Sequence, residues 1–313
     1  MAPDATVPDG TGAVAHFSWS LTDNQVYPQN LVVRTTLRNA SHAAEIRASL
    51  AEAAVSDERI NSLQTVQADL LSVASWDEAI KDVTYVLHIA SPAPGGRPKD
   101  ENELILPAVE GTKRVLCAAR DAGVRRVVLT SSVSAVWHGK AHKEKRNFTE
   151  NDWTDDISDP DPPKTLAERA AWDFIKQEGN NMELVAMNPV NVLGPCIGTD
   201  DATSLRTVSE LLQGNVPGFP RTHWALVDVR DCVALHVLAM THPKAAGERF
   251  ICIGEGALWL AEIGAVLRGK LGDHANKVPR FTLPNFLLKV IAIFMPIAKL
   301  VVPGFGRCKD CHL

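Results

Sequence analysis

Short runs of β-branched and apolar residues alternate with amphipathic helical patterns over the first 190 residues of this chain. Five runs have the length and composition of strands: Leu31–Leu37, Leu63–Ala68, Thr84–Ile89, Val124–Thr130 and Glu183–Met187. Helical periodicity falls between them, at Ser41–Ala53, Trp76–Lys81, Glu101–Ala122 and Thr165–Gln177. Because strands that alternate with helices form βαβ units, the sequence predicts an α/β fold around a parallel sheet.

After about residue 190 the alternation becomes less regular, and glycine and proline become more frequent, as in NVLGPCIG and GNVPGFP. We therefore predict a first domain over residues 1–190 and a smaller, loop-rich lobe over residues 191–313. Within this lobe, Phe286–Val302 is apolar but is interrupted by two lysines and a proline. Its uncharged stretches are shorter than the roughly 20 residues that span a bilayer, which favours an amphipathic helix pair over membrane contact.

The composition excludes several classes of protein. Of the 313 residues, 45% are apolar and 22% are charged, which excludes a disordered chain, a collagen-like repeat and a polytopic membrane protein. A formal net charge of −5 gives no general attraction to nucleic acids or anionic lipid, so we predict neither as a partner. Six scattered cysteines, and a first segment MAPDATVPDGTGAVAHF without a signal-peptide pattern, predict a cytoplasmic protein in a reducing compartment.

Two short patterns have the spacing of metal sites. Cys308-x-x-Cys311-His312 has the spacing of a c-type haem attachment site, and His138 and His142 stand at i and i+4. The first pattern lacks an export signal, and it also lacks the second pair of ligands that a zinc site needs. The two histidines lie in a basic run that is typical of an exposed loop. We therefore predict no metal.

Seven longer segments of the chain, in order, match a known family. They are VVRTTLRNASHAAEIRASL, ADL at 68–70, YVLHIASP at 85–92, ENELILPAVEGTKRVLCAARDAGVRRVVLTSS at 101–132, KTLAERAAWDF at 164–174, ELVAMNPVNVLGP at 183–195 and VDVRDCVALHVLAMTHPKAAGERF at 227–250. Together they resemble the extended short-chain dehydrogenase/reductases (NAD-dependent epimerase/dehydratase family), in the branch of dihydroflavonol reductases, cinnamoyl-CoA reductases and fungal aldehyde or ketone reductases. The resemblance implies a Rossmann-type doubly wound parallel sheet that binds a dinucleotide, and a C-terminal substrate lobe from which some segments return to the sheet.

In this family the first strand is followed by a turn of pattern G-x-x-G-x-x-G, where a Cβ would collide with the cofactor's pyrophosphate. The corresponding stretch here is DGTGAVAHFSWS, in which Gly10 and Gly12 can form the tight turn, while His16 and Trp19 stand near the second and third glycines. The strand before the turn corresponds to ATVPD, where Pro8 lacks an amide donor. We assign Gly10 and Gly12 to pyrophosphate binding, although the pair fits an ordinary turn equally well.

The resemblance implies NADPH as the cofactor, because arginine rather than an acidic residue follows the predicted strand Leu31–Leu37, which corresponds to the family's second strand. Arg38 corresponds to the residue that binds the 2′-phosphate, with a solvated surface charge as the alternative. Asp69 corresponds to the acidic residue beside the adenine. The other residues that the resemblance assigns to the cofactor are Ala90, Ser91, Lys164 and Pro189.

The chemistry implied by the resemblance is hydride transfer from NADPH to a carbonyl group, with a serine, a tyrosine and a lysine around the carbonyl oxygen. Ser132 corresponds to the catalytic serine, and Ser131 is the alternative. Lys164, directly before TLAERAAWDF, corresponds to the catalytic lysine, which also holds the nicotinamide ribose. An ammonium group one helical turn from a tyrosine lowers the pKa of its phenol and so makes the phenol a better proton donor at neutral pH.

The tyrosine of this set is missing. Pro160 stands four residues before Lys164, and the chain has only two tyrosines, Tyr27 and Tyr85. A deletion of a few residues that spared the lysine accounts for the loss. Water or His138 must then donate the proton, which predicts slow turnover.

The resulting prediction is an NADPH-dependent reductase of an aldehyde or ketone group in a small or secondary metabolite, acting as a monomer or a homodimer. The alternative is a catalytically inactive relative that binds a dinucleotide or a partner. It is motivated by the altered glycine turn, the missing tyrosine and an ending, VVPGFGRCKDCHL, that is shorter than in the family. A third interpretation, a decayed gene or a faulty gene model, predicts poor folding.

Overall fold

A computed structural model describes residues 12–15, 31–91, 102–137, 147–154, 162–196 and 203–284. Its strands are β1 (Gly12–Ala15), β2 (Val32–Leu37), β3 (Gln64–Gln67), β4 (Tyr85–His88), β5 (Arg126–Thr130), β6 (Glu183–Pro189), β7 (Asn191–Leu193), β8 (His223–Asp228), β9 (Arg249–Cys252) and β10 (Ala257–Trp259). Seven of them form one sheet in the order β3-β2-β1-β4-β5-β6-β9. Every adjacent pair in it is parallel, which confirms the predicted fold class.

Helices cover both faces of this sheet. The helices are α1 (His42–Glu52), α2 (Asp57–Ser62), α3 (Trp76–Ile80), α4 (Asn102–Asp121), α5 (Ser134–Trp137), α6 (Pro162–Glu178), α7 (Thr203–Gln213), α8 (Val229–Thr241) and α9 (Leu260–Leu271), with 3₁₀ turns at Pro243–Ala245 and Gly272–Ala275. Because side chains alternate along a strand, Val127 of β5 packs in a cluster with α3, α4 and α6, and its neighbour Val128 packs in another with α8. The sheet is therefore doubly wound, and the Rossmann-type prediction is confirmed.

The predicted elements agree with the observed ones to within a few residues. The strand predicted at 124–130 begins at Arg126, and the strand predicted at 183–187 continues to Pro189. The helix predicted from Thr165 begins earlier, at Pro162. Proline is tolerated there because the amides of a helix's first turn have no intrahelical partner to lose.

The first strand lies elsewhere than predicted. The prediction placed it at ATVPD, before the glycines, whereas β1 is GAVA, the four residues that begin with Gly12. Ala15, its last residue, pairs with Thr35 on one side and with Leu87 on the other. Gly12 therefore lies at the amino end of a central strand, and its assignment to the turn after the strand is wrong. Gly10 lies outside the described residues.

A smaller sheet is formed by β7, β8 and β10. In it β8 pairs with β7 in parallel and with β10 in an antiparallel arrangement. The apolar core of this lobe includes Leu211, Phe219, Leu260, Ile263 and Val278. β9 comes after residue 190 but belongs to the main sheet, and α8 packs in one apolar cluster with β4, β5, β6 and β8. The domain boundary near residue 190 stays a prediction.

Two further observations concern the ranges that the structure describes. None of their helices has the combined length and apolar character that crossing a membrane requires. Nor do they contain a group of three or more His, Cys, Asp or Glu residues arranged to hold a metal ion. The apolar segment Phe286–Val302, the cysteine pattern at 308–312 and the two histidines at 138 and 142 lie outside these ranges.

Candidate active site

Five of the predicted site residues lie at one edge of the main sheet. Arg38, Asp69 and Ser91 follow the ends of β2, β3 and β4. Ser132 follows the end of β5, and Pro189 is the last residue of β6. Because the carboxyl ends of parallel strands meet at one edge, the fold brings these residues to the edge where ligands bind in open α/β sheets.

The two candidate serines have different surroundings. Ser131 is buried, and its hydroxyl donates a hydrogen bond to Glu168 Oε2 at 2.5 Å. Ser132 is half-buried, and its Oγ accepts a hydrogen bond from the backbone amide of Ser134 at 3.2 Å. Because the Ser131 hydroxyl is committed to a buried carboxylate, Ser132 is better placed to reach a ligand. This difference favours Ser132 as the catalytic serine, an assignment that stays a prediction.

Lys164 is half-buried in the first turn of α6. Glu168 follows it by four residues, so the two side chains project from the same face of the helix, one turn apart. The contact between Glu168 and Ser131 holds this face against the end of β5. Since α6 connects two parallel strands and runs back along the sheet, its first turn, with Lys164, lies at the edge that carries Ser132.

The two arginines near β2 have different roles. The Arg34 guanidinium donates hydrogen bonds to Gln64 Oε1 at 2.9 Å and to backbone carbonyl oxygens at the end of α3. Arg34 is therefore a structural residue that joins β2 to β3 and α3. Arg38 is exposed at the carboxyl edge, where its backbone carbonyl accepts a hydrogen bond from Gln67. Of the two, only Arg38 is exposed at this edge, and its assignment to the 2′-phosphate stays a prediction.

Asp69, Ala90 and Ser91 are all half-buried, in loops at the same edge. Asp69 Oδ1 accepts a hydrogen bond from the backbone amide of Leu71 at 2.9 Å, which closes the turn after β3. Its backbone carbonyl accepts a hydrogen bond from Trp76 Nε1 at 3.1 Å. These bonds fix the loop in place, and the assignment of all three residues to the cofactor stays a prediction.

The residues present fit a dinucleotide at its two ends but not at its centre. Arg38 has the charge for a 2′-phosphate, and Lys164 has the donors for a ribose. At the centre, β1 ends at Ala15 and the sequence continues HFSWS. The sequence has no glycine between Gly12 and Gly95, so the glycines with which the family approaches the pyrophosphate are absent after this strand.

Tyr85 is too far from Ser132 to replace the missing tyrosine. It is the first residue of β4 and pairs with Arg126, the first residue of β5. Ser132 comes six residues after Arg126, which corresponds to about 20 Å along an extended strand. Tyr85 therefore lies near the opposite edge of the sheet. Tyr27, His138 and Pro160 lie outside the described residues.

Three polar residues at this edge were not predicted from the sequence. Glu168 Oε2 accepts a hydrogen bond from Asn188 Nδ2 at 2.8 Å, and Glu168 Oε1 accepts one from Arg249 Nε at 2.6 Å. Glu168 and Asn188 are fully buried, and the side chain of Arg249 is nearly so. The available signals were an acidic residue beside the apolar stripe of α6 and an asparagine within the apolar strand ELVAMNPV.

A second buried polar group, also missed, lies on the opposite face of β5. Thr130 Oγ1 lies 2.9 Å from His236 Nε2, and His236 Nδ1 lies 2.7 Å from the carbonyl oxygen of Cys232. Because a carbonyl only accepts, Nδ1 donates to Cys232, and the neutral ring accepts the Thr130 hydroxyl at Nε2. Burial lowers the pKa of His236. A hydrogen bond with Cys252, reinforced by burial, raises the pKa of the Cys232 thiol and keeps it protonated.

Comparisons with known proteins agree with the predicted family. The model of the NAD dependent epimerase/dehydratase family matches residues 10–254. Tetraketide alpha-pyrone reductase 2 of Arabidopsis thaliana is 33% identical over 294 residues, which cover 89% of this chain and 84% of that protein. Cinnamoyl-CoA reductase 1 of Petunia hybrida is 35% identical over 215 residues, which cover 66% of this chain and 61% of that protein.

Solved structures of reductases have the same fold. Yeast methylglyoxal/isovaleraldehyde reductase Gre2, complexed with NADPH, gives a TM-score of 0.73 at 23% identity, with 86% of this chain and 85% of that chain covered. Gre2 from Candida albicans, in complex with NADPH, gives a TM-score of 0.71 at 27% identity, with 87% and 86% covered. The fold, the carboxyl-edge residues and the match over residues 10–254 lead to one conclusion: the chain belongs to the NAD-dependent epimerase/dehydratase family.

Proposed function

We propose that this chain is an NADPH-dependent reductase of an aldehyde or ketone group in a small or secondary metabolite. The observation that carries the proposal is the 2.5 Å hydrogen bond between Ser131 and Glu168, because it joins the end of β5 to α6 at the edge with Ser132 and Lys164. The reductases to which the chain is similar support the same class of reaction.

Each site residue has its own role in this proposal. Bound NADPH would supply a hydride to the carbonyl carbon. The Ser132 hydroxyl donates a hydrogen bond to the carbonyl oxygen and stabilises the negative charge that develops there. The Lys164 ammonium binds the ribose hydroxyls beside the nicotinamide and adds positive charge near the same oxygen. Arg38 holds the 2′-phosphate and Asp69 the adenine, while Ala90, Ser91 and Pro189 contact the rest of the cofactor.

The proton that completes the alcohol comes from water or from His138, because no tyrosine stands four residues before Lys164. A positioned general acid raises the rate of such reactions by about 10²- to 10⁴-fold, so its loss slows turnover without removing the hydride step. We place the reductase in the cytoplasm, as a monomer or a homodimer.

The test is NADPH oxidation by the purified chain with a panel of aldehydes and ketones. We expect slow, measurable activity that Ser132→Ala and Lys164→Ala abolish. Lys176→Ala is the matched control, because Lys176 is an exposed lysine in the last turn of the same helix. Activity that survives Lys164→Ala would contradict the proposed roles.

A second function, that of a catalytically inactive relative that binds a dinucleotide or a partner, is favoured by two losses: Pro160 stands where the tyrosine is expected, and no glycine turn follows β1. Tight NADPH binding with no turnover on any member of the panel would support this function. Robust turnover would exclude it.

A further inference from the structure

The carboxylate of Glu168 is fully buried and receives four hydrogen bonds. The donors and their distances are Ser131 Oγ at 2.5 Å, Asn188 Nδ2 at 2.8 Å, Arg249 Nε at 2.6 Å and Trp172 Nε1 at 3.3 Å. They come from the residue directly after β5, from β6, from β9 and from α6 itself. One side chain therefore ties α6 to three neighbouring strands.

Stability alone is a poor explanation for this carboxylate. Taking an ion pair such as Arg249–Glu168 out of water carries a large desolvation cost for each ion, and apolar residues of similar volume often stabilise a fold equally well. The surrounding face of α6 is already apolar, with Ala167, Ala171 and Phe174 buried. The value of the bonds to Glu168 lies in their direction, which fixes the helix at one position relative to the strands.

The bonds to Glu168 also include the residue that holds the backbone of Ser132. Asn188 Nδ2 donates to the carbonyl oxygen of Ser132 at 3.1 Å as well as to Glu168 Oε2. On the helix side, Lys164 projects from the same face as Glu168, one turn nearer the site. A shift of Glu168 would therefore move Lys164 relative to Ser132.

Arg249 links Glu168 to residues 147–154, a segment that lies between Ser132 and Lys164 in the sequence. Arg249 donates to the carbonyl oxygens of Glu150 at 2.6 Å and Asp152 at 2.7 Å, and its guanidinium lies 3.7 Å from the centre of the Trp153 ring. The same arginine is held by Glu168. Loss of the carboxylate would thus release both α6 and the segment at 147–154.

We propose that Glu168 is a positioning residue that sets the position of Lys164 relative to Ser132 through its shared contact with Asn188. The proposal rests on the proposed function, since it assumes that Lys164 holds the nicotinamide ribose. Glu168 itself does not contact a ligand, because its carboxylate is buried and accepts hydrogen bonds from protein donors.

The test compares two ligands on Glu168→Gln, which keeps the volume and removes the charge. NADPH reaches from Arg38 to Lys164, whereas adenosine 2′,5′-bisphosphate occupies only the adenosine end. We expect Glu168→Gln to raise the Kd of NADPH by about fivefold and to leave the Kd of the bisphosphate unchanged, because only one end depends on α6. Glu178→Gln, an exposed glutamate at the end of the same helix, should change neither.

A double-mutant cycle shows whether Glu168 acts through Lys164. In a Lys164→Ala background, Glu168→Gln should cause no further loss of NADPH affinity. Equal weakening of both ligands would show a general structural role and overturn the proposal, as would an unchanged NADPH Kd. If the wild-type protein binds NADPH no more tightly than it binds the bisphosphate, the proposed function on which the inference rests is overturned instead.

Ser131→Ala gives the same test with a smaller change, and it decides the matter if Glu168→Gln does not fold. It removes one donor to Glu168 and leaves the charge pair with Arg249 in place. We expect a rise of about twofold to threefold in the Kd of NADPH, again with no change for the bisphosphate. An unchanged NADPH Kd in this variant would overturn the proposal.

Discussion

The ring of Phe219 lies directly against the backbone of Gly264: a Cβ on this glycine would be 2.0 Å from Phe219 Cζ. Phe219 is buried in the core of the smaller lobe, so its ring must move to admit even one methyl group. We expect Gly264→Ala to destabilise the fold by about 1–3 kcal/mol. Gly269 lies on the same helix with no atom within 4 Å of a Cβ, so Gly269→Ala should instead stabilise it by about 0.5–1 kcal/mol.

Thermal unfolding of the two variants checks this prediction. The Tm of Gly264→Ala should fall and that of Gly269→Ala should rise slightly, relative to the unchanged chain. Because both substitutions make the same chemical change in one helix, equal Tm values would show that Phe219 does not pack on α9 as described.

The buried histidine His236 should make stability depend on pH. Burial lowers its pKa below the ordinary value of 6.5. The unfolded chain therefore binds a proton on this histidine at a higher pH than the folded chain does. The neutral His236 side chain makes its full contribution to the free energy of unfolding above the ordinary pKa. As the pH falls below that pKa, the free energy of unfolding decreases by at most about 1.4 kcal/mol for each pH unit.

The measurement is the change in Tm between about pH 7.5 and about pH 5.5. The decrease should be smaller in His236→Gln than in the unchanged chain, because the variant has no proton to take up at this position. His274→Gln, at an exposed histidine, should show the same decrease as the unchanged chain. A decrease of the same size in all three proteins would remove His236 as the cause.

Most of the sheet could be predicted because its strands carry their own signal. VRRVVLT contains five β-branched or apolar residues in a short run between turn signals, and β5 lies within it. β1 could not be found in this way, because GAVA is short and made of small residues. Its pairing with β2 and β4 depends on neighbours distant in the sequence.

The residues of the candidate site also differ in whether the local sequence identifies them. Ser132, Lys164 and Arg38 were found because each stands in a matching segment of sequence. Glu168 was not, because a glutamate in a helix usually faces solvent. Its burial is decided by Asn188 and Arg249, which lie 20 and 81 residues away along the chain. No local pattern brings such partners together.

Arg38 should determine the preference for NADPH over NADH. It is exposed at the end of β2, where a guanidinium can bind a 2′-phosphate. We expect Arg38→Ala to weaken NADPH binding by about tenfold or more, because charge-assisted hydrogen bonds are lost, and to leave NADH binding unchanged. Titration of each nucleotide, followed by its fluorescence, measures both Kd values.

Arg206→Ala is the control for this titration, since Arg206 is an exposed arginine of the smaller lobe. It should change neither Kd. If Arg38→Ala raises the Kd values of NADPH and NADH by the same factor, Arg38 does not recognise the 2′-phosphate and its assignment is wrong.

The pyrophosphate should contribute little to nucleotide binding in this chain. β1 ends at Ala15, and no glycine follows it before Gly95, so backbone amides cannot approach the phosphates as they do in a glycine turn. ADP and AMP differ only in the second phosphate. We therefore expect their Kd values, measured by displacement of bound NADPH, to agree within about twofold, whereas charge-assisted hydrogen bonds to that phosphate would separate them by roughly tenfold or more. Tighter binding of ADP by such a factor would mean that the residues after β1 hold a pyrophosphate without the family's glycines.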